Sequence, residues 1–112
     1  MDVPLQPLRI PEGWRVQYND LYEINPDSNI TPEDDETWFF KEDLLQIMHP
    51  RLKRLLDVGW YPTGNLIDGS YMLVIYEGDF NGRLLHQFRT KSRLDLVAEI
   101  ERLLMAISSR KL

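Results

Sequence analysis

Asn81-Gly82 stands between two apolar-rich runs, Ser70 to Phe80 and Arg83 to Thr90, and constrains this chain more than any other feature. Both residues accept the positive φ of a type I′ turn, so the pair predicts an antiparallel hairpin. A two-residue turn sets Ile75 opposite Phe88 and Glu77 opposite His86. A four-residue loop shifts the pairs but keeps the faces. One face then holds Tyr71, Leu73, Ile75, Leu84, His86 and Phe88, and the other holds Met72, Val74, Tyr76, Leu85, Gln87 and Arg89. A closing helix follows. Ser92 is its N-cap, Asp95 occupies the third helical position, and Leu96, Val97, Ile100, Leu103, Leu104 and Ile107 make its apolar stripe, with Arg110-Lys111 complementing the dipole.

Upstream, Pro4, Pro7 and Pro11 keep the first dozen residues extended or turning. Trp14, Val16 and Tyr18 alternate with Arg15 and Gln17, the period of a half-buried strand. A short strand from Leu21 to Ile24 is expected to pair back on it through a bulged loop. Asn25-Pro26-Asp27-Ser28-Asn29 is a turn-forming stretch, and Thr31-Pro32-Glu33 has the form of a helix start. A second helical region is expected from Lys41, with Leu44, Leu45, Ile47 and Met48 on one face, interrupted by Pro50 and continued by Leu52, Leu55 and Leu56. A further strand is expected at Gly59 to Tyr61. The sum is a single α+β domain over residues 1–112, with an antiparallel sheet of about four to five strands and two or three helices packed mainly on one face.

An apolar fraction of 43% is ample for one core, and the absence of cysteine excludes disulfides, thiol nucleophiles and thiolate metal sites. Tyr71 to Tyr76 is the longest apolar run, at six residues far short of a membrane span. The start, Met1-Asp2-Val3-Pro4, lacks the basic and apolar regions of a secretory signal, so a cytoplasmic protein is expected.

Charge is sorted along the chain. Nine of the eighteen acids lie between Asn19 and Leu45 against one base, Lys41, for a local charge of −8; the remainder sums to +3. Such a segment favours a basic protein as partner and argues against nucleic acid. The expected partner-binding residues are Asp27, Glu33, Asp34, Asp35, Glu36, Glu42 and Asp43, with Trp38 and Phe40 supplying buried contact. Asp27, Asn29, Thr31 and Glu33 share the spacing of the first EF-hand ligands. Pro32 stands where the loop needs glycine and Trp38 where it needs glutamate, so no metal is expected. His49 is read as a cap at a chain break, and His86 as a partner for Glu77 across the hairpin. No pattern calls for a cofactor, and no catalytic residues are assigned. The face with Met72, Val74, Tyr76 and Leu85 must be covered by the N-terminal segment, by a second copy in a homodimer, or by a partner.

Gly59-Trp60-Tyr61-Pro62, Gly69 with the apolar strand after it, Phe88-x-Thr90-x-Ser92, and Leu96-Val97-x-x-Ile100-Glu101-x-Leu103-Leu104 together resemble a group of small bacterial proteins that accompany polymorphic toxins. The likeness spans roughly Asp57 to Leu104 and rests on turn, strand and capped-helix motifs. It implies a cytoplasmic immunity protein that binds a cognate toxin domain, often a nuclease, and blocks its active site. The alternative is a structural or regulatory domain that self-associates through the Met72/Val74/Tyr76/Leu85 face.

Overall fold

The computed structural model describes residues 3–26 and 39–112. Five strands, β1 (Arg15–Asn19), β2 (Leu45–His49), β3 (Arg54–Tyr61), β4 (Ser70–Glu77) and β5 (Leu84–Thr90), form one antiparallel sheet in chain order. Among the described residues, one helix, α1 (Arg93–Ser108), packs on one face.

The second helical region is the main correction. Residues 45–61 form the β2–β3 hairpin, and the described residues hold one helix rather than two or three. The spacing of Leu44, Leu45, Met48, Leu52, Leu55 and Leu56 suits a helix face, but Leu45, Ile47 and His49 also alternate inward with period two. Residues Leu55 to Trp60 are all buried, so β3 has no alternation to reveal it as a strand. Pro50 fits the hairpin: it lacks an amide donor and suits the first position of the turn over residues 50–53, where Lys53 takes a positive φ of 57°. The His49 ring closes this turn by accepting from the Leu52 amide at 3.1 Å. The expected helix start at Thr31-Pro32-Glu33 lies outside the described residues.

The expected Leu21–Ile24 strand is also replaced. β1 pairs with β2, bulging between Val16 and Tyr18, while Tyr22 makes only an isolated bridge to Leu5. Leu21 and Ile24 enter the core directly.

The Asn81-Gly82 hairpin forms with a wider loop. Leu73 faces Phe88 and Ile75 faces His86, two residues from the register of a tight turn. A bulge after Ile75 leaves Tyr76 opposite Leu84, so Leu85 becomes the extra residue. The two leucines thereby exchange faces: Leu85 packs against the core and Leu84 is exposed.

Helix α1 starts as its sequence dictates, with Ser92 Oγ accepting from the Asp95 amide at 3.1 Å. Leu96, Ile100, Leu103, Leu104 and Ile107 press onto Ile47, Leu56, Val58, Leu73 and Ile75 of the sheet. At one end of this core, Trp60 lies edge-on to Phe40 and Tyr71, with ring centroids 5.1 and 4.9 Å away. The N-terminal segment straps the same side. Val3, Leu8, Ile10 and Trp14 pack against the core, the Arg9 amide donates to Glu101 at 2.8 Å, and Trp14 Nε1 donates to Ser108 Oγ at 2.9 Å. His86 meets Glu99 of α1 at 2.9 Å rather than Glu77, which pairs with Arg83.

Two substitutions test the β2–β3 hairpin in urea denaturation. Ile47→Ala is expected to cost about 2–4 kcal/mol, because its side chain is fully buried. Lys53→Gly is expected to stabilise by up to about 1 kcal/mol by relieving the left-handed backbone. A helix over these residues would reverse the second sign.

Candidate functional site

The sheet face opposite α1 carries three cross-strand rows. Met48, Leu55 and Tyr76 stand side by side, with Leu84 beyond Tyr76. Tyr18, Gln46, Asp57, Val74 and Gln87 form the central row. Gly59, Met72 and Arg89 follow. Leu55 and Val74 are buried at the middle of this face, outside the core cluster beneath α1.

Asp57 is the anomaly of the central row. It interrupts the run Leu55-Leu56-Asp57-Val58, and its side chain is only 7% exposed. Its Oδ1 accepts from the Tyr18 hydroxyl at 3.3 Å and from Gln46 Nε2 at 3.5 Å, both at the long end for hydrogen bonds. The same hydroxyl reaches Asp43 Oδ1 at 3.4 Å. A phenol has one proton, so Tyr18 can donate to only one of these two carboxylates at a time.

The segment before β2 brings the acids here. The Trp60 amide donates to the Lys41 carbonyl at 2.7 Å and the Leu44 amide to the Val58 carbonyl at 3.1 Å, so Glu42 and Asp43 bulge outward between these bonds. The Glu42 carbonyl crosses directly over Gly59, where a Cβ would come within 2.0 Å of its oxygen. Gly59 is therefore what allows the acidic segment to approach the sheet. Tyr61 borders the same space, and its hydroxyl points to the Glu42 carbonyl at 3.5 Å. Phe80, from the β4–β5 loop, stacks edge-on to Tyr76 at 5.5 Å and lines the cavity from the other side. The resulting cleft has a volume of about 730 Å³.

Electrostatics follow from this crowding. Burial pushes the Asp57 carboxyl above its ordinary range; the bonds from Gln46 and Tyr18 oppose that shift and the charge of Asp43 adds to it. Tyr18 is raised well above the usual phenol range, first by burial and then by Asp57 and Asp43. Tyr61 is raised by burial, then by Asp57, Glu42 and Asp43. Both phenols thus remain donors. Lys41 is the cation lining the cleft, and it pairs with Asp20 at 2.9 Å.

The expected site residues divide three ways. Asp27, Glu33, Asp34, Asp35, Glu36 and Trp38 lie outside the described residues. Phe40 is buried against Trp60 in the core and cannot offer itself to a partner without unpacking it. Glu42 and Asp43 are exposed at the cleft, and Met72, Val74 and Tyr76 share its face, while Leu85 has turned to the other. Tyr18, Asp57 and Tyr61 were not anticipated as site residues. The signal available for them was an acid inside an apolar strand run. Among the described residues, no group of three or more His, Asp or Glu is placed to hold a metal ion. No helix among them is long and apolar enough to cross a membrane.

In comparisons with known proteins, the chain matches no family model, no curated protein and no solved structure.

Asp57→Asn keeps an acceptor for Tyr18 and removes the buried charge. It is expected to stabilise the fold at neutral pH by about 1 kcal/mol. Between the ordinary carboxyl range and Asp57's raised value, the folded state binds more protons than the unfolded state, so wild-type stability falls as pH rises through that window. The advantage of Asn should therefore vanish in acid, below about pH 4, where both states of the wild type are protonated. Denaturant melts from acid to neutral pH check both statements.

Proposed function

We propose that this protein is a cytoplasmic binding module that captures a basic protein domain through the acidic face opposite α1, in the manner of an immunity protein neutralising a nuclease-type toxin. One observation carries the reading: two carboxylates, Asp43 and Asp57, compete for the single proton of Tyr18 beside the exposed Glu42. An incoming guanidinium or ammonium supplies the missing donors, and its charge meets a cleft whose own cation is engaged by Asp20. Tyr61, Tyr76 and Phe80 around the acids provide the aromatic surface on which such a cation packs. The charge of −8 over residues 19–45 adds long-range attraction to the contact.

Self-association through the same face is the second reading, supported by Met72, Val74, Tyr76, Leu84 and Phe80 lying together there. A twofold contact would also bring each acidic cleft toward the acidic rim of its copy, and this like-charge approach favours the basic partner instead.

The test is capture from the native cell followed by rate measurements on the purified partner. The partner is expected to be basic and to bind one to one, with association slowed by salt. Glu42→Lys with Asp43→Lys should lower the association rate at low salt by about tenfold or more. Association indifferent to salt and to both reversals would remove the electrostatic reading. A concentration-dependent homodimer in sedimentation, broken by Tyr76→Glu, would replace it with self-association.

A further inference from the structure

The end of the β2–β3 hairpin away from the acidic cleft holds a second cavity, of about 590 Å³, with the opposite charge. Its lining includes three arginines from separate parts of the chain: Arg15 at the start of β1, Arg51 in the turn after β2, and Arg110 beyond α1. All three are exposed, and none forms an ion pair or side-chain hydrogen bond among the described residues. One carboxylate, Glu12, shares the lining.

The wall of this cavity is His49, whose side chain is only 6% exposed. Its Nδ1 accepts from the Leu52 amide at 3.1 Å, so in the neutral ring the proton sits on Nε2. Trp14 fixes the ring from the side, edge-on at 5.1 Å. Nε2 lies against Gly13 in the cavity lining and has no hydrogen-bond partner among the described residues. A Cβ at residue 13 would stand 2.6 Å from that nitrogen, and Gly13 has a φ of +97°. The space in front of the imidazole N–H therefore exists because residue 13 is glycine.

Arg110 adds a different kind of observation. The Arg110 amide donates to the Ile107 carbonyl and the Lys111 amide to the Ala106 carbonyl, closing α1 with a Schellman motif. Arg110 occupies the left-handed position of that motif, with φ of 59°, where glycine is the favoured residue. The backbone conformation there is carried at a cost by a residue whose side chain makes no ion pair or hydrogen bond among the described residues.

We infer that this cavity is an oxyanion site for a phosphate group, either free or as a small phosphate monoester. The His49 Nε2–H is the donor at the cavity wall, and Arg15, Arg51 and Arg110 are the charges that close around the group. Multiple N–H donors from guanidinium and imidazole match the several acceptor oxygens of a tetrahedral dianion. The inference is independent of the acidic cleft, whose lining shares none of these side chains.

The experiment is a titration of the whole protein with inorganic phosphate, with glycerol 3-phosphate and with a short single-stranded RNA. Sodium chloride holds the ionic strength constant, and binding is followed by nuclear magnetic resonance at the Gly13 amide and the His49 imidazole. Saturable shifts at both groups with the small phosphates are expected. Equal affinity for the two would assign the site to a phosphate ion; tighter binding of the ester would assign it to a monoester. Arg51→Gln should weaken binding by about tenfold, the loss of one charge-assisted contact. Arg110→Gly should weaken binding likewise while raising the melting temperature, opposite signs that a merely structural role would not produce. Shifts that never saturate, or affinities unchanged in both variants, would overturn the inference. So would binding of the RNA alone.

Discussion

Strand β3 is the element on which everything else depends. It lies at the centre of the five strands, and from Leu55 to Trp60 it is buried on both faces. Leu56, Val58 and Trp60 supply the core beneath α1, while Leu55, Asp57 and Gly59 form the floor of the opposite face. Six successive buried residues leave no freedom of register, because a slip by one would drive Asp57 into the apolar core and Leu56 out of it. The carboxylate thus occupies its position because the strand around it is held from four directions.

That arrangement also explains why the fold was only partly legible. The β4–β5 hairpin and α1 announce themselves through Asn81-Gly82, the alternation around it and the Ser92 cap, all local signals whose meaning does not depend on the rest of the chain. The register of the hairpin does not, since the wider loop and the bulge after Ile75 are settled by packing Leu85 rather than Leu84 into the core. Residues 45–61 are harder. Leucines three and four apart suit a helix, and a doubly buried strand has no pattern of its own to oppose them. Pro50 was the informative residue: it reads equally as a helix interruption or as the corner of a turn, and only the pairing of β2 with β1 on its far side decides between them.

The candidate sites were legible in charge but not in geometry. Glu42 and Asp43 stand out as acids, yet the residues that give them chemical meaning, Tyr18 and Asp57, come from two other strands. Phe40 looked like a contact residue because it follows a run of acids; it is instead an edge of the aromatic core around Trp60. The net charge of −5 conceals the most useful fact about the surface, which is that an acidic and a basic cavity lie toward opposite ends of one hairpin. Asp57 belongs to the small class of groups that weaken a fold where they sit, and such groups gather where proteins do their work.

The strap formed by residues 3–14 has a topological consequence. All four strand pairings join neighbours in the chain, so the sheet by itself is a ribbon that could fray from either edge. The strap bonds to α1 across 92 and 94 residues of sequence, through Arg9 to Glu101 and Trp14 to Ser108. These contacts turn a ribbon into a closed circuit. Because the entropy of closing a loop grows only with the logarithm of its length, such distant contacts add little extra closure cost while linking both ends of the sheet to one core. An edge strand cannot then loosen without disturbing the helix that spans the others, and unfolding becomes an event of the whole domain.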